Sequence, residues 1–181
     1  MKKLLITICI IFYLSFIIGH LSLIQAAYVL PYPSYMPGNK LYQVSKLIDV
    51  VKKYWSWGNI AQTKYQLSLS DKYLVEAKTL FEYRQYLLGA IALKRSNDAF
   101  ETLPALVLNT RKEGKDVTNI VATISEAGKE HERVLGEMKL IIPSSFTWSP
   151  EKEQSTELSL HASVDKAIEL RAVAVSKIEA L

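Results

Sequence analysis

Residues 60–81 read IAQTKYQLSLSDKYLVEAKTLF, and their spacing decides the fold class. Ile60, Leu67, Leu74 and Phe81 recur every seven residues, a recurrence of the coiled-coil kind that sets an apolar row along one side of a helix. Thr63, Ser70 and Ala77 fill the neighbouring row, where small side chains let a second helix approach closely. A helix over about Ile60 to Tyr83 is expected, packed on both rows.

Helical spacing continues downstream. From about Gln85 to Thr110, Leu88, Ile91, Ala99, Leu103 and Leu106 recur, but Pro104 lacks an N–H and its ring clashes one turn back. A kink or break near Leu103 is expected. Lys112 to Lys115, KEGK, supplies a glycine turn, and Asp116 is placed to cap the next helix by accepting an unpaired backbone N–H. That helix carries Val117, Ile120, Val121, Ile124, His131, Leu135 and Met138 on one stripe and ends at Pro143. Ser144 to Ser149 reads as a loop holding Phe146 and Trp148. Ser149-Pro150-Glu151 is a helix-start signal, so the last helix is expected from there to near the end, with Leu160, Val164, Ala167, Ala174, Ile178 and Leu181 inward. Upstream, about Lys40 to Trp55 forms a helix with Leu41, Val44, Leu47, Ile48 and Val51 on one face, broken by Gly58 and Asn59. No run reads as a strand. Residues 40–181 are thus expected to form an all-α antiparallel bundle of four to five long helices.

Two segments precede the bundle. Residues 28–39 include LPYPSYMPGN, Leu30 to Asn39, whose prolines and glycine exclude helix and ladder and make a strap. Residues 1–27 have the parts of an export signal: Lys2 and Lys3, an apolar run over residues 4–24, then Ala26 and Ala27. The run is about as long as a bilayer span, so both a cleaved signal peptide and a retained signal anchor with its N-terminus inside are open. If retained, it places the chain on the cytoplasmic membrane, with Tyr28, Tyr32 and Tyr35 near the headgroups, though ordinary packing of these rings is the plainer alternative. Either way the bundle is expected to be extracytoplasmic, secreted or membrane-anchored.

Composition narrows the rest. Cys9 is the only cysteine and lies inside the apolar run, so no intrachain disulfide forms and the core alone must hold the domain. The formal charge of +4 falls to +2 without Lys2 and Lys3, and lysines alternate with glutamates. No basic stripe concentrates enough charge for nucleic acid.

The strap and the helical region after it resemble a family of exported prokaryotic proteins catalogued as domain of unknown function 5667. Val29-Leu30-Pro31-Tyr32-Pro33, Met36-Pro37, Leu41-Tyr42 and Leu67 to Leu74 with Glu76-Ala77 carry the likeness, with weaker echoes in Glu113 to Val117 and in Lys129-Glu130-His131 with Val134-Leu135. Ser34 stands where the pattern has glycine, and Pro104 interrupts a helix the pattern keeps continuous. The resemblance implies a mostly helical extracytoplasmic domain behind a signal or anchor, with no assigned activity or functional residues to carry over.

Candidate chemistry is sparse. Glu157, His161 and Asp165 are spaced by four, which on one helix face is a spacing for a divalent cation, but also an ordinary solvated face. His131, between Glu130 and Glu132 on an apolar stripe, reads as a core-edge histidine held by a hydrogen bond, its other reading being a buried acid or base. Ser68, Ser70 and Asp71 lack a nucleophile elbow, and phosphate-cradling glycine loops are absent from the sequence. No cofactor is implied. Trp55, Trp57 and Trp148 are interaction candidates if exposed, and otherwise pack over the bundle end. The expected function is a non-catalytic structural or protein-interaction module of the cell envelope, with an unidentified envelope protein as partner. The alternative is a ligand- or metal-sensing helical bundle.

Overall fold

The computed structural model describes residues 28–33, 35–151 and 154–181. Residues 1–27, expected to be an export signal or anchor, lie outside these. Six helical segments follow the strap: α1 (Tyr42–Trp55), α2 (Asn59–Glu82), α3 (Tyr86–Glu101), α4 (Leu103–Lys112), α5 (Thr118–Ile141) and α6 (Leu160–Glu179). The protein is mostly helical, as the periodicity predicts. Among the described residues, no helix is long and apolar enough to cross a membrane.

Both rows of the opening stretch are used. Leu67, Leu74, Ala77 and Phe81 are buried, as are Thr63 and Ser70. The small row brings α2 against α3 closely enough for Ser70 Oγ to donate to the Ser96 carbonyl at 3.0 Å and Ser96 Oγ to donate to the Ser70 carbonyl at 2.8 Å. Close approach also requires glycine at position 89 but not at 136. A Cβ on Gly89 would meet the Phe81 ring at 2.5 Å, whereas one on Gly136 would meet nothing within 4 Å.

Two helices end in the same way. The Gln85 N–H bonds the Leu80 carbonyl and the Arg84 N–H bonds the Phe81 carbonyl, with Arg84 at φ 58°. The Lys115 and Gly114 N–H groups bond the Thr110 and Arg111 carbonyls in the same pattern, with Gly114 at φ 72°. Both are Schellman closures needing a left-handed residue. The KEGK turn meets that need with glycine. Beyond it, Asp116 accepts the Thr118 N–H at 2.9 Å and its hydroxyl at 2.7 Å at the start of α5.

The chain breaks at Thr102, and Pro104 sits in the first turn of α4, where its missing N–H costs nothing. The region after Pro143 corrects the expectation of loop followed by helix. β1 (Ser145–Trp148) pairs antiparallel with β2 (Thr156–Ser159), Phe146 opposite Leu158 and Trp148 opposite Thr156. Phe146 and Leu158 pack on the core, and the Tyr86 and Phe146 rings lie 5.0 Å apart. Alternation of inward aromatic and outward polar residues favours a ladder here. Ser149-Pro150 therefore opens the hairpin connection, and the helix begins only at Leu160.

The core has two apolar halves. One gathers Leu74, Leu80, Leu93, Val134, Met138 and Val164; the other gathers Leu67, Phe100, Leu103, Ile124, Ala127 and Ile178. Helices α2 and α5 run from the second half to the first, while α3 and α6 run from the first to the second. The pairs α2–α3 and α5–α6 are therefore antiparallel, whereas α2–α5 and α3–α6, which also pack together, run parallel.

Candidate functional site

Between the two halves lies a polar layer. On α2 it holds Ser70 and Asp71, on α3 Ser96, on α5 His131 and on α6 Arg171; Asp71 is nearly buried and the others fully. Each falls where its helix's apolar seam crosses the middle of the bundle.

The hydrogen bonds fix the position of the imidazole proton at the centre. Arg171 Nε donates to His131 Nδ1 at 3.0 Å, and guanidinium nitrogens only donate. Nδ1 therefore holds the lone pair, and the ring proton sits on Nε2, which donates to Asp71 Oδ1 at 2.7 Å. The second Asp71 oxygen accepts from the Tyr28 hydroxyl at 2.6 Å. Arg171 also donates to Asn97 Oδ1 at 2.7 Å, to the Ala167 carbonyl at 2.8 Å and to Ser96 Oγ at 2.8 Å, and it lies over the Phe100 ring at 5.3 Å. A neutral imidazole thus bridges a buried guanidinium and a carboxylate.

Electrostatics agree with that assignment. Burial lowers the His131 pKa below its ordinary value, outweighing the Asp71 bond that raises it, with Arg171 lowering it further. Burial also lowers the Arg171 pKa to about 10, opposed by Asp71 and Glu132, so the cation persists at neutral pH. The Tyr28 phenol is held well above its ordinary value by burial and the Asp71 charge. With both ring nitrogens occupied, His131 offers no free position to a reacting atom.

Sequence reasoning places His131 correctly as a bonded core residue but misses its partners. Arg171 lies on the seam Leu160, Val164, Ala167, Arg171, Ala174, Ile178, spaced by four and three in turn. A charged residue in such a row is the signal. Tyr28 is bonded to the core rather than left for headgroups.

The proposed cation face is not assembled. Glu157 is exposed on β2, outside the helix, so it shares no helical face with the other two. His161 Nε2 bonds the Ile142 carbonyl at 3.1 Å, and Asp165 pairs with Lys139 at 2.6 Å. Among the described residues, no group of three His, Cys, Asp or Glu side chains is placed to hold a metal. The tryptophans divide: Trp148 is half-buried in the hairpin, while Trp55 and Trp57 are 83% and 85% exposed at the end of α1. Beside them is an open cavity of about 510 Å³, lined by Lys53, Tyr54, Trp57, Gln62 and Tyr65 among others.

A second polar cluster attaches α1 to α2. The Tyr42 hydroxyl donates to Glu76 Oε1 at 3.0 Å and accepts from Arg95 at 3.2 Å, while Lys72 donates to Ser45 Oγ at 2.9 Å and pairs with Asp49. Burial pushes the Glu76 carboxyl above its usual range, and its Oε2 has no hydrogen-bond partner among the described residues. The expected inward face of α1 is reversed: Leu41, Val44, Leu47, Ile48 and Val51 are exposed, and Tyr42 is the helix's buried residue. Polar anchoring to α2 wins because Glu76, Lys72 and Arg95 are the groups that the bundle presents there.

No protein-family model matches the chain, and no curated protein or solved structure matches it significantly.

Proposed function

We propose that this chain is a non-catalytic, extracytoplasmic helical domain that serves the cell envelope as a structural or interaction module behind its export or anchor segment. The observation that carries the reading is the division of labour between centre and surface. Ionisable groups at the centre are consumed by one another, which leaves them to fix helix register, a recognised use of buried polar groups in helical bundles. The outermost helix meanwhile turns its apolar side outward, as an interaction element does.

Other observations fit the same reading. Tyr28, the first described residue after the leader, is bonded to Asp71, so the strap is tied to the bundle at the point where the exported part begins. The likeness to the exported family of unknown function belongs to this proposal. A reporter fused after Leu181 tests the compartment: activity outside the cytoplasmic membrane supports it, and cytosolic activity refutes it. Mass measurement of the exported form separates secretion from anchoring, a start at Ala27 or Tyr28 meaning cleavage.

A further inference from the structure

Helix α1 is held by one side and bare on the other. At about 100° per residue, Tyr42, Ser45 and Asp49 share the side that meets Glu76 and Lys72, while Leu41, Val44, Leu47, Ile48, Val51 and Trp55 cover the opposite side. All six of these are 46% to 83% exposed. With Val50 and Tyr54, also exposed, the apolar face covers about half the circumference, wider than the seam of a two-helix coiled coil.

The surroundings of that face point to its occupant. Residues 40–57 carry Lys40, Lys46, Lys52 and Lys53 against Asp49 alone, and Asp49 is paired with Lys72. The uncompensated charge is positive and complements an anionic surface. Tyr54, Trp55 and Trp57 cluster at the helix's end, and such rings partition to the boundary between headgroups and acyl chains. Residues 25–41 alone separate α1 from the apolar run over residues 4–24, a link that reaches at most about 60 Å. A lipid surface entered by that run is within reach of α1.

We propose that α1, Tyr42–Trp55, lies flat on an anionic lipid surface, with Leu47, Ile48 and Val51 in the acyl boundary and Lys52, at the edge of that face, among the headgroups. This rests on the extracytoplasmic reading above and names the partner of its outward helix. The bundle is thereby held against the membrane at a fixed orientation, with the open cavity beside Trp57 at the lipid surface.

The test uses the full chain with Cys9→Ser and a nitroxide on Ile48→Cys, reconstituted in phosphatidylcholine vesicles with phosphatidylglycerol. A second sample carries the label on Val173→Cys of α6. Ile48 and Val173 are both exposed, so neither change disturbs the core. The label at 48 is expected to collide with oxygen more readily than with a water-soluble nickel chelate, and the label at 173 to show the reverse. Lys52→Gln should lower the docked-to-free ratio at 48 about fivefold, the contribution of one lysine near an anionic surface. Nickel accessibility at 48 equal to that at 173 overturns the proposal, as does dipolar broadening at 48 that reports a second copy on this face. A cytosolic tail reporter with position 48 still in lipid sinks the compartment reading alone; an external reporter with position 48 in water sinks the lipid-face inference alone.

Discussion

Replacing Arg171 with methionine keeps the apolar stem and removes the cation that completes the polar layer. Four acceptors lose a donor: His131 Nδ1, Asn97 Oδ1, the Ala167 carbonyl and Ser96 Oγ. Asp71 keeps its bonds from His131 and Tyr28 but loses the nearby positive charge. Breaking one side of a buried charged network destabilises by about 3–5 kcal/mol, a fifth or more of the roughly 5–15 kcal/mol that holds a domain of this size. Urea melts followed by circular dichroism at constant pH measure this directly. The contrasting variant replaces the three charged or titrating members, Asp71→Leu, His131→Leu and Arg171→Met together, and should be less destabilised than Arg171→Met because no unpaired buried charge is left; the Tyr28 hydroxyl and Asn97 Oδ1 each lose a partner. A loss below about 1 kcal/mol for Arg171→Met, or a triple variant worse than the single one, refutes the claim that these residues are bound to one another in a buried centre.

His131 predicts a pH dependence whose sign is set by its lowered folded pKa: above the ordinary value of 6.5 its contribution is constant, and as pH falls through that value the unfolded chain takes the proton first and stability drops. Thermal melts at about pH 7.5 and pH 5 should show a larger loss for the parent than for His131→Gln, whose amide can donate to Asp71 and accept from Arg171 without titrating; equal losses refute this. The two glycine sites predict opposite outcomes in chemical denaturation. Gly136→Ala should gain about 1 kcal/mol from helix propensity, whereas Gly89→Ala should lose about 1–3 kcal/mol to the Phe81 ring, and matching signs would contradict the packing. Arg84→Gly should stabilise by roughly 0.5–1 kcal/mol, since its left-handed closure suits glycine; a destabilised variant would contradict that geometry. Ile48→Asp should leave the midpoint in lipid-free detergent within about 0.5 kcal/mol of the parent, and a larger loss would place that face inside the core.

The helical seams were legible because burial repeats with the helix. Leu67, Leu74 and Phe81 on α2 and Ile124, Leu135 and Met138 on α5 are buried where the spacing puts them. The Pro104 break and the Gly114 turn were legible too, since each depends on backbone chemistry local to the residue. The features that escaped depend on distant partners. SFTW and TELS are each four residues long, too short to show a period, and they become strands by pairing with each other over the core. Helix α1 has a strong apolar face, but the bundle offers it Glu76, Lys72 and Arg95, so its polar side docks. The polar layer was half legible: His131 was visible as a polar residue on a seam, and Arg171 occupied the equivalent place on the last helix. The convergence of Asp71, Tyr28, Ser96 and Asn97 on them comes from four helices and the strap meeting at one level, which spacing within any single helix does not contain.

In the buried polar layer, histidine is a neutral bridge. Long-range nitrogen–proton correlation spectra of the ¹⁵N-labelled protein report this directly at His131. The predicted result is a proton on Nε2, a bare lone pair on Nδ1, and shifts constant between about pH 8 and pH 6. A ring that protonates near pH 6.5, or that carries its proton on Nδ1, would contradict it.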